Sequence, residues 1–165
     1  MKQLTQKLKN GDMSIHEIPY PILEKGMILV KNHYSVISAG TEGSTVRAAR
    51  KNWIGKAKER PEQVKQVLKT LKKQGPIMTY RAIMKKLDVY TPLGYSCSGE
   101  VIEVGSDVTN FQIGNKVACA GVGYANHAEV VTVPENLCVK LEKDSNLKHA
   151  AFNTLGAICM QGVRQ

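Results

Sequence analysis

Cysteines and histidines are the residues of this sequence that could bind a metal ion or act as nucleophiles. Their spacing does not favour a metal site. No two cysteines form a Cys-x-x-Cys pair, and no two histidines have a His-x-x-x-His spacing. We therefore predict that the cysteines are small, buried apolar residues and that the histidines lie on strands or at the surface. The residues concerned are Cys97, Cys119, Cys138, Cys159, His16, His33, His127 and His149.

A glycine-rich phosphate loop would be the signature of a dinucleotide site, and the sequence contains only a fragment of one. Such a loop reads Gly-x-Gly-x-x-Gly, follows a strand and opens a helix. The fragment Gly121-Val122-Gly123 lacks the third glycine and lies between two predicted strands. The sequence therefore predicts no dinucleotide-binding residues in this chain.

The positive charge is concentrated in one internal segment. Residues 44–90 hold thirteen Lys or Arg against three acids, a net charge of +10, whereas the rest of the 165 residues holds ten against eleven. A nearly neutral domain with a basic insertion explains this distribution. No stretch approaches the length of a membrane span, which is about 18 apolar residues, and no signal sequence precedes the domain, so we expect a cytoplasmic protein.

Two kinds of periodicity divide the chain. Short alternating runs bounded by turn residues predict strands near 13–19, 26–37, 97–105, 115–120 and 128–134. Within the insertion, helical spacing predicts one helix from Pro61 to the Gly75-Pro76 pair, a second after it, and a shorter one that begins with Ser44 as N-cap. The last stretch, from about Leu147, is Ala-rich and predicts a helix.

A run of glycines and apolar residues over 94–118 carries a family resemblance. It begins Gly94-Tyr-Ser-Cys-Ser-Gly-Glu-Val and resembles the stretch Gly-His-Glu-x-x-Gly-x-Val of the medium-chain dehydrogenase/reductase superfamily, zinc-type alcohol dehydrogenases included. Its glycines fit strand packing and turns, and its apolar residues are predicted to face the core: Val101, Val104, Val108, Phe111 and Val117. The runs at 26–31, 40–42 and 124–134 and the tail from Ala150 are similar to other motifs of that superfamily.

The resemblance implies a mostly β fold, a GroES-like and partly open β-barrel with a basic helical insertion and a C-terminal helix. It makes residues 1–165 the substrate-side domain of an NAD(P)-dependent oxidoreductase, with 44–90 as the insertion and 147–165 as the start of the connection to an absent Rossmann domain. NAD or NADP would be bound mainly by that domain. The chain stops at Gln165 without a cap, which favours a longer natural chain.

The same resemblance indicates a zinc-independent branch. Where zinc-dependent relatives have metal ligands, this sequence has Ala39, Tyr95 and Ser96, none of which suits zinc. Thr41 matches the hydroxyl residue that hydrogen-bonds the reacting oxygen, so we expect Thr41 to be catalytic. Tyr95 is either a second donor or a packed aromatic ring. Ser96 is expected in the substrate pocket, as is Glu42, for which a loop-bracing role is favoured.

The position of the insertion, next to the motif residues at both ends, suggests a lid for an anionic or sugar-linked substrate. Its cations would be Arg47, Arg50, Lys51 and Arg81. The simpler interpretation, which we favour, is a solvated helix face whose lysines point to water opposite Val64, Val67, Leu68 and Leu71. The insertion also resembles, less specifically, that of bacterial two-part oxidoreductases found with polysaccharide-building enzymes.

Other function classes remain open at this point. The partners that we expect are a small-molecule substrate, either a carbonyl or alcohol or an activated alkene, and the Rossmann domain of the same protein, with no membrane. A homo-oligomer of the intact protein stays open. The alternatives are a non-catalytic binding or scaffold domain and a basic nucleic-acid-binding module, the latter disfavoured because few aromatic residues accompany the cations.

Overall fold

The computed structural model describes residues 1–50 and 61–165, and these divide into two compact units. The sheet unit comprises Met1–Leu4, Ile15–Ile37 and Pro92–Gln165, and the helical unit comprises Thr5–Ser14 and Ser38–Thr91.

Eight strands are present in the described chain. They are β1 (Lys2–Lys7), β2 (Met13–Glu17), β3 (Met27–Ser35), β4 (Tyr90–Pro92), β5 (Ser96–Val104), β6 (Lys116–Ala120), β7 (Val130–Pro134) and β8 (Cys138–Lys140). The predicted strands correspond to β2, β3, β5, β6 and β7. The sequence patterns did not single out β1, β4 or β8, of which two are only three residues long.

The sheet unit is organised around a five-stranded sheet with the order β7-β3-β5-β6-β8, and each neighbouring pair is antiparallel. Register shifts in the β3–β5 pair, between Leu29 and Val30 and between Asn32 and Tyr34, bend the sheet so that it curls. β7 and β8 are its two edges. The predicted mostly β fold with a helical insertion and a C-terminal helix is confirmed. A second sheet has the order β2-β1-β4.

Alternate residues of the curled sheet form its core. Every second residue of a strand faces the same side, so one face can be apolar throughout. The buried members of this core are Ile28, Val30, Cys97, Val101, Val117, Cys119, Val131 and Val133 from the strands, and Phe111 and Ala125 from the connections between them. Of the five predicted core residues, Val101, Phe111 and Val117 are buried, while Val104 and Val108 are partly buried and pack against the cluster.

Gly99 allows β3 and β5 to approach each other closely. A Cβ atom at this position would lie 2.0 Å from the carbonyl oxygen of Lys31, far inside van der Waals contact. No side chain can be accommodated there without moving one strand, so the glycine in the motif has a steric cause.

The helical unit contains α1 (Thr41–Arg50) and α2 (Pro61–Leu87). α2 is interrupted at Gly75, whose φ of 76° is not helical, and Pro76 follows. The two predicted helices on either side of the Gly-Pro pair are therefore present. The expectation that Ser44 caps the first helix was wrong. The helix begins three residues earlier, and the Ser44 hydroxyl donates to the carbonyl oxygen of Thr41, 2.7 Å away, inside the helix.

The C-terminal part of the sheet unit is helical, with α3 (Leu147–Ala150) and α4 (Asn153–Arg164). The Asn146 side chain caps α3 by accepting the amide hydrogens of Lys148 and His149. Cys97 and Cys119 are buried and Cys138 is half-buried, but Cys159 lies exposed on α4, so its predicted burial was wrong. None of the helices described is long and apolar enough to cross a membrane.

Candidate active site

The loop that leads into α1 is held by a reciprocal set of hydrogen bonds around Ser38. The Ser38 hydroxyl oxygen lies 3.3 Å from the amide nitrogen of Thr41 and accepts its hydrogen. In return, the Glu42 carboxylate accepts the Ser38 amide hydrogen at 3.0 Å. This arrangement is close to a capping box, in which a hydroxyl and an acidic side chain satisfy amide groups at a helix start.

The two side chains at the start of α1 differ in exposure. Glu42 is only 8% exposed and braces the loop, whereas Thr41 is exposed to solvent. The Ser38 hydroxyl also lies 3.3 Å from the Thr41 hydroxyl oxygen, so the two side chains can hydrogen-bond. A hydroxyl held in this way at a helix N-terminus is suited to interact with an oxygen that gains negative charge.

Arg47 and Arg50 leave α1 in different directions. Nine residues are two and a half helical turns, so Arg50 projects from the face opposite Thr41. The stem of Arg50 passes Gly11, since its Cγ lies 3.1 Å from where a Cβ of that glycine would be. Arg47 instead folds back along the helix, with its guanidinium 3.4 Å from the corresponding position at Gly43. Arg47 therefore reaches towards the first turn of α1 and Arg50 does not.

Tyr95 lies immediately before β5 and is buried. Gly94 precedes it with a φ of 104°, and a Cβ atom there would lie 2.6 Å from the amide nitrogen of His127. The carbonyl oxygen of Tyr95 accepts the amide hydrogen of Gly121 at 2.9 Å. The backbone on both sides of the phenol ring is thus fixed by the sheet.

Ser96 and Ser98 attach the C-terminal helices to β5. The Ser96 hydroxyl oxygen is fully buried and lies 2.7 Å from the carbonyl oxygen of Ala151 and 2.8 Å from the side-chain oxygen of Asn153. The Ser98 hydroxyl donates to the carbonyl oxygen of Leu147 at 2.5 Å. This anchoring role was not predicted, because it depends on contacts between residues about 50 positions apart in the sequence.

The six predicted site residues fall into two groups. Thr41, Glu42, Arg47 and Arg50 belong to the helical unit, where one helix carries all four. Tyr95 and Ser96 belong to the sheet unit, at the beginning of β5. Of the other cations proposed for the lid, Arg81 is exposed on α2, and Lys51 lies outside the described residues.

The described residues offer neither a cluster of metal ligands nor a dinucleotide loop. No group of three or more His, Cys, Asp or Glu among them could hold a metal ion. Gly121 and Gly123 adopt positive φ angles in the turn after β6, and the next named element is the strand β7, so this turn does not have the strand-to-helix geometry that binds a pyrophosphate.

The sequence patterns missed an open groove of about 310 Å³ in the sheet unit. The Ser35 hydroxyl lies 2.8 Å from the Nδ1 atom of His127 in this groove. The Asn32 amide donates to the carbonyl oxygens of Asn126 and Ala128 at 3.1 and 2.8 Å, which fixes the loop that carries His127. Only the strand register brings these distant positions together, so a local pattern could not reveal the groove.

Comparison with known proteins gives the family context of this geometry. Residues 71–143 match the family described as the alcohol dehydrogenase GroES-like domain. No curated protein matches the chain.

Solved structures with the same fold include two quinone oxidoreductases and a sugar-alcohol phosphate dehydrogenase. The quinone oxidoreductase from Coxiella burnetii is 23% identical, with a TM-score of 0.59 over 92% of this chain and 40% of its own. The Escherichia coli quinone oxidoreductase in complex with NADPH is 16% identical, with a TM-score of 0.59 over 92% and 36%. Galactitol-1-phosphate dehydrogenase from Escherichia coli is 16% identical, with a TM-score of 0.62 over 92% and 41%.

The chain thus spans about two fifths of the length of these structures. The GroES-like match and the shared fold agree with the motif over 94–118. The resemblance predicted from the sequence is confirmed, because residues 71–143 match the alcohol dehydrogenase GroES-like domain and the chain shares the fold of these solved structures.

Proposed function

We propose that this chain is the substrate-side domain of an NAD(P)-dependent, zinc-independent oxidoreductase whose cofactor domain lies outside it. The observation that carries the proposal is the exposed Thr41 hydroxyl in the capped first turn of α1, within a chain that contains a GroES-like domain. The structural neighbours support it, because they are more than twice as long as this chain and one is described in complex with NADPH.

In this proposal the Thr41 hydroxyl donates a hydrogen bond to the oxygen of the substrate carbonyl. As hydride is added to the carbonyl carbon, negative charge accumulates on that oxygen, and a fixed donor stabilises it. Ser38 holds the Thr41 hydroxyl in place, and the start of α1 adds a favourable dipole. Tyr95 belongs to the sheet unit, and its role, as a donor or as a packed aromatic ring, stays a prediction. Ser96, whose hydroxyl is committed to Ala151 and Asn153, is assigned an anchoring role instead of a place in the pocket.

Substitution of Thr41 in the intact protein tests the assignment. Removal of a single oxyanion donor typically lowers kcat by about 10². We expect Thr41→Val to show a loss of this order with little change in KM, and Thr41→Ser, which keeps the hydroxyl, to stay within about tenfold of the unchanged protein. Equal losses in the two variants would assign Thr41 to loop structure and not to chemistry.

We further propose that Arg47 recognises an anionic group of the substrate. Arg47 folds back towards the turn that carries Thr41, and Arg50 on the opposite face supplies a matched control of the same charge. Arg47→Ala should raise KM for an anionic substrate about tenfold, the effect of losing one charge-assisted hydrogen bond, while Arg50→Ala should not. Equal KM values in both variants would favour the solvated-face interpretation of the insertion.

The absence of a dinucleotide loop from the described residues leads to a second experiment on the 165-residue chain alone. We expect no saturable binding of NADPH in a fluorescence titration and no turnover of any carbonyl substrate. The intact protein should show both. Turnover by the chain alone would contradict the proposed division between domains, and an intact protein that does not bind NAD(P)H would favour the scaffold interpretation.

A further inference from the structure

Three cysteines lie side by side across adjacent strands of the five-stranded sheet. In the strand register, Cys97 of β5 is opposite Cys119 of β6, and Cys119 is opposite Cys138 of β8. Directly opposite residues on neighbouring antiparallel strands point to the same face, so the three thiols form a row. Cys119, in the middle, has two candidate partners.

The backbone hydrogen bonds show that the two pairs differ in geometry. The amide of Gly121 donates to Tyr95 and that of Val101 donates to Asn115, which makes alternate pairs of β5 and β6, including Cys97–Cys119, hydrogen-bonded. Between β6 and β8, the amide of Leu141 donates to the carbonyl oxygen of Lys116. Three residues further along, Cys119–Cys138 is therefore a non-hydrogen-bonded pair.

Non-hydrogen-bonded pairs bring side chains closer together. Their Cα atoms are about 4.5 Å apart, against about 5.5 Å in hydrogen-bonded pairs. Disulfides need Cα separations of about 4.4–6.8 Å, so the backbone at Cys119–Cys138 can accept the bond without moving apart. The two sulfur atoms already lie 3.7 Å from each other.

We propose that Cys119 and Cys138 form a thiol–disulfide modification site that is closed by low-molecular-weight disulfides such as oxidised glutathione. Cys138 is half-buried on the edge strand β8, whereas Cys119 is completely buried, so Cys138 is the more accessible residue of the two. Accessibility and proximity together assign Cys138 as the attacking thiol and Cys119 as the resolving thiol.

The reaction balances as two exchange steps. The Cys138 thiolate attacks one sulfur of oxidised glutathione, its S–S bond breaks, and one glutathione thiolate leaves. The Cys119 thiolate then attacks the Cys138 sulfur of the mixed disulfide and releases the second glutathione. Two protein thiols are oxidised, one glutathione disulfide is reduced to two thiols, and each departing thiolate takes up a proton that a cysteine gave up.

The protonation of the pair makes this closure slow at neutral pH. The hydrogen bond to Cys119, together with burial, raises the pKa of the Cys138 thiol well above its ordinary value. Only the thiolate is nucleophilic, so the small thiolate fraction limits the rate. This fraction rises about tenfold for each unit by which the pH increases, as long as the pH is below the pKa. The rate of closure should therefore keep rising from about pH 7 to about pH 9 without a plateau.

The test uses the full chain with Cys159→Ser, because the exposed thiol on α4 would otherwise react between molecules. After incubation with oxidised glutathione, the free-thiol count of the folded protein should fall from the three that remain to one. Peptide mapping should show a Cys119–Cys138 disulfide. Adding Cys97→Ala should leave that disulfide intact, since Cys97 is the matched control in the same row.

Two further variants in the same background identify the order of the steps. With Cys119→Ala the reaction should stop at a stable mixed disulfide with glutathione on Cys138. With Cys138→Ala, a change at a half-buried position, no intramolecular disulfide should form. The proposal is overturned if the folded protein keeps all its thiols, if Cys97 pairs with Cys119, or if Cys138→Ala still closes.

Discussion

The two units of this chain bury their apolar residues to very different extents. In the sheet unit, Ile28 and Val30 are completely inaccessible to solvent. In the helical unit, Leu68 is 52% exposed and Tyr80 is 64% exposed, although both belong to the apolar spacing that predicts α2. Apolar side chains are thus buried in the core of the sheet unit, whereas comparable side chains of the helical unit remain partly exposed to solvent.

This difference separates two kinds of sequence information. A helix satisfies its backbone hydrogen bonds within one segment, so helical spacing and turn residues can define α2 without a tightly packed face. A strand needs a neighbour, so its residues are selected by what lies opposite them. Stability should therefore depend strongly on the sheet unit and weakly on single side chains of α2, which the following variants test.

The largest effect is expected at Gly99. Gly99→Ala places a methyl group 2.0 Å from the Lys31 carbonyl oxygen and should lower the free energy of unfolding by about 4 kcal/mol, or prevent folding. Gly156→Ala on α4, where an added Cβ would meet nothing beyond the backbone of its own helix within 4 Å, is the control and should stabilise by about 0.5–1 kcal/mol. Urea denaturation measures both, and equal effects would mean that the strands can adjust.

Truncation of an apolar residue in each unit gives the next largest effect. Ile28→Ala should cost about 3 kcal/mol, because it empties space in a closed core. Leu68→Ala should cost about 0.5 kcal/mol, because half of that side chain is already in water. If the two variants had equal urea midpoints, stability would depend equally on apolar side chains in the sheet unit and in the helical unit, contrary to this prediction.

A moderate effect is expected where the sheet unit holds its C-terminal helices. Ser98→Ala removes the hydrogen bond to the Leu147 carbonyl oxygen and should cost about 1–2 kcal/mol. Because the lost contact is local, hydrogen exchange should accelerate first in α3 and α4. Unchanged exchange in these helices would show that other contacts hold them.

The smallest effect belongs to the exposed ion pair of the helical unit. Lys7 Nζ lies 3.0 Å from an Asp88 carboxylate oxygen, and this contact holds the pKa of Asp88 below its ordinary value. A lowered carboxylate pKa stabilises the folded state above the unfolded pKa, and the benefit is lost as pH falls through the folded pKa. Because the Asp88 side chain is about half exposed to solvent, Asp88→Asn should lower Tm only slightly near pH 7, and the difference should vanish once the pH is below the lowered pKa of Asp88. A Tm difference that persists in acid would have another origin.

Much of the fold could be predicted from the sequence, because the residue types in the motif over 94–118 are determined by close packing between strands. Gly99 needs a close backbone contact, and Val101 and Val117 alternate onto one face. The short strands β4 and β8 could not be predicted, since three residues show no periodicity and gain their hydrogen bonds only from a partner strand. The N-terminus of α1 was placed too late because the residue that caps it, Ser38, lies before the motif glycine Gly40.

For the candidate site, residue types were easier to predict than their directions. Thr41 and Tyr95 were selected by analogy alone, and their roles remain predictions. The different directions of Arg47 and Arg50 follow from helix geometry once the start of α1 is fixed. The groove with His127 and the buried Ser96 depend on contacts between residues far apart in the sequence, for which local spacing has no signal.

The attachment of α4 to β5 has a mechanical consequence. Thr154, in the first turn of α4, has its amide 3.4 Å from the Ser96 hydroxyl oxygen and its own hydroxyl 3.5 Å from the carbonyl oxygen of Tyr95. Two hydrogen bonds of Thr154 thus join the first turn of α4 to the backbone of Tyr95 and the side chain of Ser96. A rotation of α4 against the sheet would therefore have to break these hydrogen bonds or displace the start of β5 together with the helix.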